Sequence, residues 1–258
     1  ALDLVSEFVY TPLLRAMLLA PGLRGAWMGP RSPSSAATLL LHESQVGAEL
    51  EGGPQSLVDA LLVDCEKQGV EIRLGQSLGQ LVIEAGRVRG VECGAEVLSA
   101  PALLSCLGPR HTLLDLVEPR LLGGALARES SNIRSRGTLA SVAFALSSRP
   151  VFNCRPDLQV EVAQWAESPT QLGRAWDDAK HRRFPGRPAM DLRIHRDEGG
   201  WVLHVLVRSA AFALTGGWSP ERAIELGDLV QSQLSGLTRE FDGLVVGRAV
   251  VTTDSLVR

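Results

Sequence analysis

The 258 residues are enough for one large domain or two small ones, and 45% of them are hydrophobic, so the chain can bury a core. With 21% charged residues, 26 Gly and 14 Pro, the composition excludes a disordered tail, a collagen-like rod and a long coiled coil. A net charge of −3 and 5% aromatic residues leave nothing that draws the chain to nucleic acid or to an anionic membrane surface.

In chain order, residues 1–20 have apolar positions at helical spacing, interrupted at Pro12, and predict helix. Residues 21–35, dense in Gly, Pro and Ser, read as loop. A short apolar element, 36–42, ends in the pair His42–Glu43. Gly52, Gly53 and Pro54 open a helix whose stripe is Leu57, Val58, Leu61, Leu62 and Cys65, expected to be buried, with Gly69 just past its end. Val70, Ile72 and Leu74 alternate as a strand. Residues 81–83 and 88–91 flank a turn containing Gly86 and predict a hairpin, 96–98 add a short strand, and 102–107 read as a strand covered on both faces.

Further on, four alternating runs predict strands: 140–146, 158–162, 190–194 and 201–207, the last two paired as a hairpin. Helices are expected at 170–182 and from Pro220, where Ser219 is the N-cap and Leu226, Leu229, Val230, Leu234 and Leu237 form the stripe. Residues 244–251 close the pattern as a strand.

No pair among Cys65, Cys93, Cys106 and Cys154 has CxxC spacing, so a zinc knuckle or redox pair is not indicated. They read as reduced core residues of a cytoplasmic protein. No apolar run approaches the ~20 residues of a membrane span, and the acidic Asp3 and Glu7 argue against a signal peptide.

Six segments, in order, resemble the middle part of phytoene-desaturase-like FAD oxidoreductases, nearest their pyridine nucleotide-disulfide oxidoreductase domain-containing branch: GAWMGPRSPSSAATLLLHE (25–43), GGPQSLVDALLVDCEKQGVEIRLG (52–75), GRVRGVECGAEVLSAPALLSCLGPRHTLLDLV (86–117), IRSRGTLASVAFALS (133–147), RAWDDAKHRRFPGRPAMDLRI (174–194) and TGGWSPERA (215–223). The resemblance implies an α+β fold: a mixed-sheet substrate domain in two pieces, 1–51 and 109–258, and a remnant of the Rossmann-like FAD-binding domain at 52–108. The family's strand–GxGxxG–helix turn, which seats the FAD pyrophosphate, has no counterpart. Gly22, Gly25 and Gly29 are spaced wrongly and follow no predicted strand. The family's Gly-rich closing segment is also expected beyond this chain. No cofactor is therefore expected here, although the full-length family uses FAD.

The resemblance puts His42 and Glu43 beside the substrate cavity, as a general acid–base pair; read without it, they are a solvated strand end. Tyr10, Trp27, Arg134, Arg136, Trp176 and Trp218 are the candidate substrate-binding residues. Arg134 and Arg136 can clamp an anionic or polar end, or stand exposed at a strand entrance. Asp177, Asp178, Lys180 and His181 read as a charged solvent face with i,i+4 pairs. His195 and His204 fall near each other on the hairpin without a third metal ligand.

Three functions follow. The first is a chain that binds an apolar isoprenoid- or polyketide-like molecule and catalyses a non-redox cyclisation or isomerisation. The second is a part of an FAD-dependent oxidoreductase whose flavin-binding segments lie elsewhere. The third is a binding or scaffold protein. Apolar surface on 57–62 and 102–107 is expected to be covered by a second copy or a partner subunit.

Overall fold

The computed structural model describes residues 1–44, 47, 50, 52–134 and 136–255. They form two compact units, 1–46 with 136–258, and 47–135.

The first unit is built on a five-stranded antiparallel sheet of order β5-β6-β7-β4-β8, from β4 (Leu139–Leu146), β5 (Val162–Trp165), β6 (Met190–Asp197), β7 (Gly200–Arg208) and β8 (Val245–Val251). Strict alternation decides which side chains go inward. Ala140, Val142, Phe144 and Leu146 of β4 are buried, with Met190, Leu192, Ile194, Leu203, Val205 and Val207 beside them. This face is closed by α9 (Pro220–Leu237), which sends in Leu226, Val230 and Leu234 at helical spacing. Ser219 caps α9 by accepting the Arg222 N–H at 3.3 Å. Phe241, in the short helix α10 (Phe241–Leu244), meets Phe144 edge-on at 5.3 Å.

Four more helices belong to this unit: α1 (Leu2–Phe8), α2 (Pro12–Gly22), α3 (Ser35–Ser44) and α8 (Pro169–Lys180). They share a second core of Leu2, Val5, Ala16, Leu19, Ala20, Leu39 and Leu172. Alternation puts Arg208 and Asp191 on the sheet face opposite the main core. Arg208, buried, donates to both Asp191 oxygens, at 3.0 Å through Nε, and to the carbonyl of Ala20 near the end of α2. Arg24 adds a second cation to Asp191 at 3.0 Å. Burial pulls the Arg208 guanidinium below its usual range, while Asp191 pushes it back up.

On that same face His195 and His204 stack with their rings 5.3 Å apart and 4° from parallel. Partial burial, then the neighbouring His195, holds the His204 imidazole below its usual value, against the opposing Asp197. Among the described residues no group of three or more His, Cys, Asp and Glu gathers.

The second unit holds α4 (Gly53–Lys67), a meander of β1 (Leu78–Glu84), β2 (Arg87–Cys93) and β3 (Glu96–Ser99), and the short helices α5 (Pro109–Leu114), α6 (Pro119–Leu122) and α7 (Gly124–Asn132). The β1–β2 turn puts Ala85 and Gly86 both at positive φ, 50° and 74°, as a two-residue hairpin turn of matching twist requires. The buried apolar residues of this unit are Val91, Cys93, Leu116 and Val117. The segment 109–135 therefore packs with the meander: the Leu81 N–H donates to the Leu116 carbonyl at 2.7 Å. The compact unit therefore extends from 47 to 135.

Several sequence expectations are corrected. Residues 36–42 lie inside the helix α3, because an apolar run this short carries no period that separates helix from strand. Residues 70–74 and 102–107 take no strand; neither finds a partner strand, and Leu104 is 93% exposed. The α4 stripe forms as a helix, but none of its fifteen residues is buried. Strand β5 begins only at Val162. Cys93 is buried and Cys65 half-buried, whereas Cys106 and Cys154 are exposed, so two of the four are not core residues. Asp178 does not pair along α8; it is half-buried and accepts from Arg183 at 3.0 Å. Among the described residues no helix is long and apolar enough to cross a membrane.

Replacing Asp191 by Ala strands a buried guanidinium and should cost about 3–5 kcal/mol of stability, read from urea unfolding. A loss below 1 kcal/mol would show that Arg208 finds other partners. For His204 the sign is fixed by its lowered folded value. The unfolded chain takes up the proton near pH 6.5, and the folded chain resists it, so this stability is full above that pH and is lost as pH falls through the folded value. The urea midpoint should drop on acidification below about pH 6.5 and drop less in His204→Gln; the same slope in both proteins would refute the assignment.

Candidate functional site

The site forms where α8 meets the loop 23–34. Ser168 caps α8 by accepting the Gln171 N–H at 3.1 Å, and Pro169 occupies the first turn. The helix buries Gln171, Leu172, Ala175 and Ala179, which fixes its rotation and brings Trp176 to the edge of the buried stripe. Trp176 meets Trp27 edge-to-face, with ring centroids 5.0 Å apart at 79°. Gly29 lies directly against the indole: a Cβ there would stand 2.3 Å from Trp176 Cδ1, so only glycine lets the loop come this close. The loop is pinned by the Gly29 N–H, which donates to Ser32 Oγ at 2.9 Å, and by Pro30 O, which accepts the Leu2 N–H at 2.9 Å.

Arg136, at the entrance to β4, lays its guanidinium over Trp27, 5.4 Å from the ring centre. Two cavities adjoin this trio. One, about 310 Å³, is walled by Pro30, Pro33, Gly173, Trp176, Asp177 and Lys180. The other, about 100 Å³, is walled by Trp27, Arg136, Lys180, Arg182, Phe212 and Ala213. Lys180 lines both. The arrangement offers flat aromatic surface for an apolar body and cations for a polar end.

Three of the sequence candidates, Trp27, Arg136 and Trp176, are thus brought together. The others are not. Trp218 donates its indole N–H to Ala211 O at 2.8 Å and tilts against Phe184 at 6.0 Å, a packing role. Tyr10 is exposed between α1 and α2. Arg134 is exposed and belongs to the second unit. His42 and Glu43 lie in the last turn of α3, not at a strand end, and line neither cavity. Sequence reasoning missed Arg182 and Phe212 and took Lys180 for part of a solvent face. The available signal was that Lys180 follows Trp176 by four residues, which puts both on one side of a helix.

Two other cavities are apolar. One, about 490 Å³, lies along β5 among Phe152, Leu158, Val160, Trp165 and Leu192. The other, about 380 Å³, is in the second unit beside Leu81, Val91, Leu104 and Leu107.

The described residues do not fit a dinucleotide. Both sheets are antiparallel, and no strand leads through a glycine turn into a helix. Gly22 is buried within α2 against Leu39, Gly29 serves Trp176, and Gly52 and Gly53 open α4 with a helix, not a strand, before them.

No profile of a known protein family matches the chain. Among solved structures, an oxidoreductase from Methanosarcina mazei aligns with a TM-score of 0.48 and 16% identity, over 78% of this chain and 43% of that one. Pyridine nucleotide-disulfide oxidoreductase domain-containing protein 2 is 25% identical over 272 residues in Rattus norvegicus and 25% identical over 273 residues in Mus musculus. Each match takes in 95% of this chain and 47% of the relative, so the chain spans about half the length of the curated relatives it matches. Along nearly its whole length, this chain is similar to pyridine nucleotide-disulfide oxidoreductase domain-containing protein 2.

Proposed function

We propose that this chain is a ligand-binding portion of a phytoene-desaturase-like protein, and that its first unit holds an apolar isoprenoid- or polyketide-like molecule against Trp27 and Trp176. In this reading the five-stranded sheet corresponds to the family's substrate domain, and the stretch 52–108 derives from its FAD-binding domain. One observation carries it: Trp27, Trp176 and Arg136, distant in sequence, meet at two adjoining cavities. Binding and orientation are what such a site provides, and orientation alone favours a cyclisation or isomerisation. Proton transfer by His42 and Glu43 is not part of this reading, since they line neither cavity. A second reading makes the chain part of an FAD-dependent oxidoreductase. It is favoured by the match to relatives named for oxidoreductase chemistry.

The fluorescent polyene cis-parinaric acid tests both. Its emission should rise saturably on titration into the protein, and Trp176→Ala should weaken binding about tenfold. Trp165→Ala, in the cavity along β5, should not; the reverse pattern would move the site there. FAD titrated in the same way should show no saturable binding. A one-to-one flavin complex would overturn the first reading in favour of the second.

The second unit also enters this reading. Leu57, Val58, Leu61 and Leu62 of α4 and Leu103, Leu104 and Leu107 are all exposed. Apolar surface gathered in this way favours association, with a second copy or a partner subunit. Sedimentation velocity should show a dimer or larger, and Leu61→Glu should shift it toward monomer. A parent protein that stays monomeric at high concentration would refute association with itself.

A further inference from the structure

We propose that the smaller cavity is an anion subsite, taking a carboxylate or phosphate. It is assigned here as the place for the polar end of the ligand whose body lies on Trp27 and Trp176, and in that respect it rests on the reading above. The subsite itself stands on separate observations.

The first is charge. Arg136, Lys180 and Arg182 all line the cavity, and no carboxylate lines it. Elsewhere in the same unit arginines find acids: Arg24 and Arg208 share Asp191, Arg183 takes Asp178, Arg187 takes Glu167, and Arg248 takes Asp228. Among the described residues none of the three cavity cations has an ion-pair partner. Asp177 lines the neighbouring cavity, and Asp178 is engaged by Arg183. In a chain of net charge −3, three cations around one small space without a counter-charge is the unusual arrangement. Their mutual repulsion falls when an anion enters. The end of α8 accounts for cations at Lys180 and Arg182, because carbonyl dipoles gather there. It does not account for Arg136, which arrives from the entrance to β4.

The second is shape. At about 100 Å³ the space holds one small group, the equivalent of about three waters, and is too small for a sugar or a base. Arg136 Cζ lies over the Trp27 ring, 5.4 Å from its centre, at the cavity wall, where its guanidinium can donate to an anion. Phe212 and Ala213 form another side of it.

The third is backbone. Arg182 adopts φ 57°, in the left-handed region that a residue with a side chain rarely enters. It is held there by its own N–H, which donates to Ala179 O at 3.1 Å, and by its carbonyl, which accepts the Thr215 N–H at 2.8 Å. Such a conformation persists where the surroundings over-determine it, and it collects at binding sites. Its effect is to turn the chain at the end of α8 so that Arg182 and Lys180 line the same cavity.

Isothermal titration calorimetry at fixed ionic strength tests the subsite with inorganic phosphate, acetate and chloride as probes. Phosphate or acetate should bind saturably where chloride does not. Phosphate over acetate assigns a phosphoryl end, and acetate matching phosphate assigns a carboxylate end. The double variant Lys180→Gln/Arg182→Gln should lose at least about tenfold in that affinity, and Arg136→Gln alone should also weaken it; both substitutions fall on exposed side chains, and an unchanged melting temperature checks the fold. The methyl ester of cis-parinaric acid should bind the parent and Arg182→Gln alike, because Arg182 lines only the smaller cavity. If phosphate and acetate give no more than chloride, or if the double variant binds them as the parent does, the subsite is wrong. Phosphate binding without ester binding keeps the subsite and removes the apolar-body reading. Ester binding without anion binding does the opposite.

Discussion

The Arg208–Asp191 ion pair is where the first unit is joined. A guanidinium is costly to bury, and only a full set of acceptors makes it tolerable. Here those acceptors come from the neighbouring strand β6 and from the Ala20 carbonyl near the end of α2, which also accepts the Leu23 N–H at 3.2 Å. One side chain thereby ties the sheet to α2. The position of α2 follows from that tie, and the loop 23–34, which begins just after α2, inherits it. Trp27 sits where it does because the chain leaves α2 at a fixed place.

The two units differ in how far apolar surface is removed from water. In the first, alternating strands and an amphipathic helix give a continuous core with two large faces. In the second, among the described residues, the meander and the segment after it bury four apolar residues, while Leu57, Val58, Leu61 and Leu62 of α4 stay exposed. A helix of this composition derives its stability chiefly from an element packed on its apolar face. Within its own unit α4 has no such element that buries it.

Much of this was readable from residues alone. The runs at 140–146, 190–194 and 201–207 are strands because strict alternation over seven or so residues has one physical meaning. The pairing of β6 with β7 followed from the short turn between them. Ser219–Pro220 marked the start of α9 for the same local reasons that hold in the structure. Failures came where local pattern is silent about partners: 102–107 is apolar enough for a buried strand, yet a strand needs a neighbour that the pattern cannot supply. At the site, Trp27, Arg136 and Trp176 were named among the candidates from their residue types, and the structure brings these three together. Arg182 was not among those candidates, because its role depends on a backbone turn set by Thr215, thirty-three positions away in the chain. His42 was expected beside the cavity on the resemblance alone; it lies in the last turn of α3, which the local apolar run could not tell from a strand end.

Gly29 has a mechanical consequence. With an indole resting on bare backbone, the loop and α8 meet at Gly29 with no side chain between them, and parting them there would open a void the size of that ring. The wall of the site is therefore stiff. The parts of it free to change rotamer within nanoseconds are the long, exposed side chains at its rim, Lys180 and Arg182, while the backbone behind them stays packed.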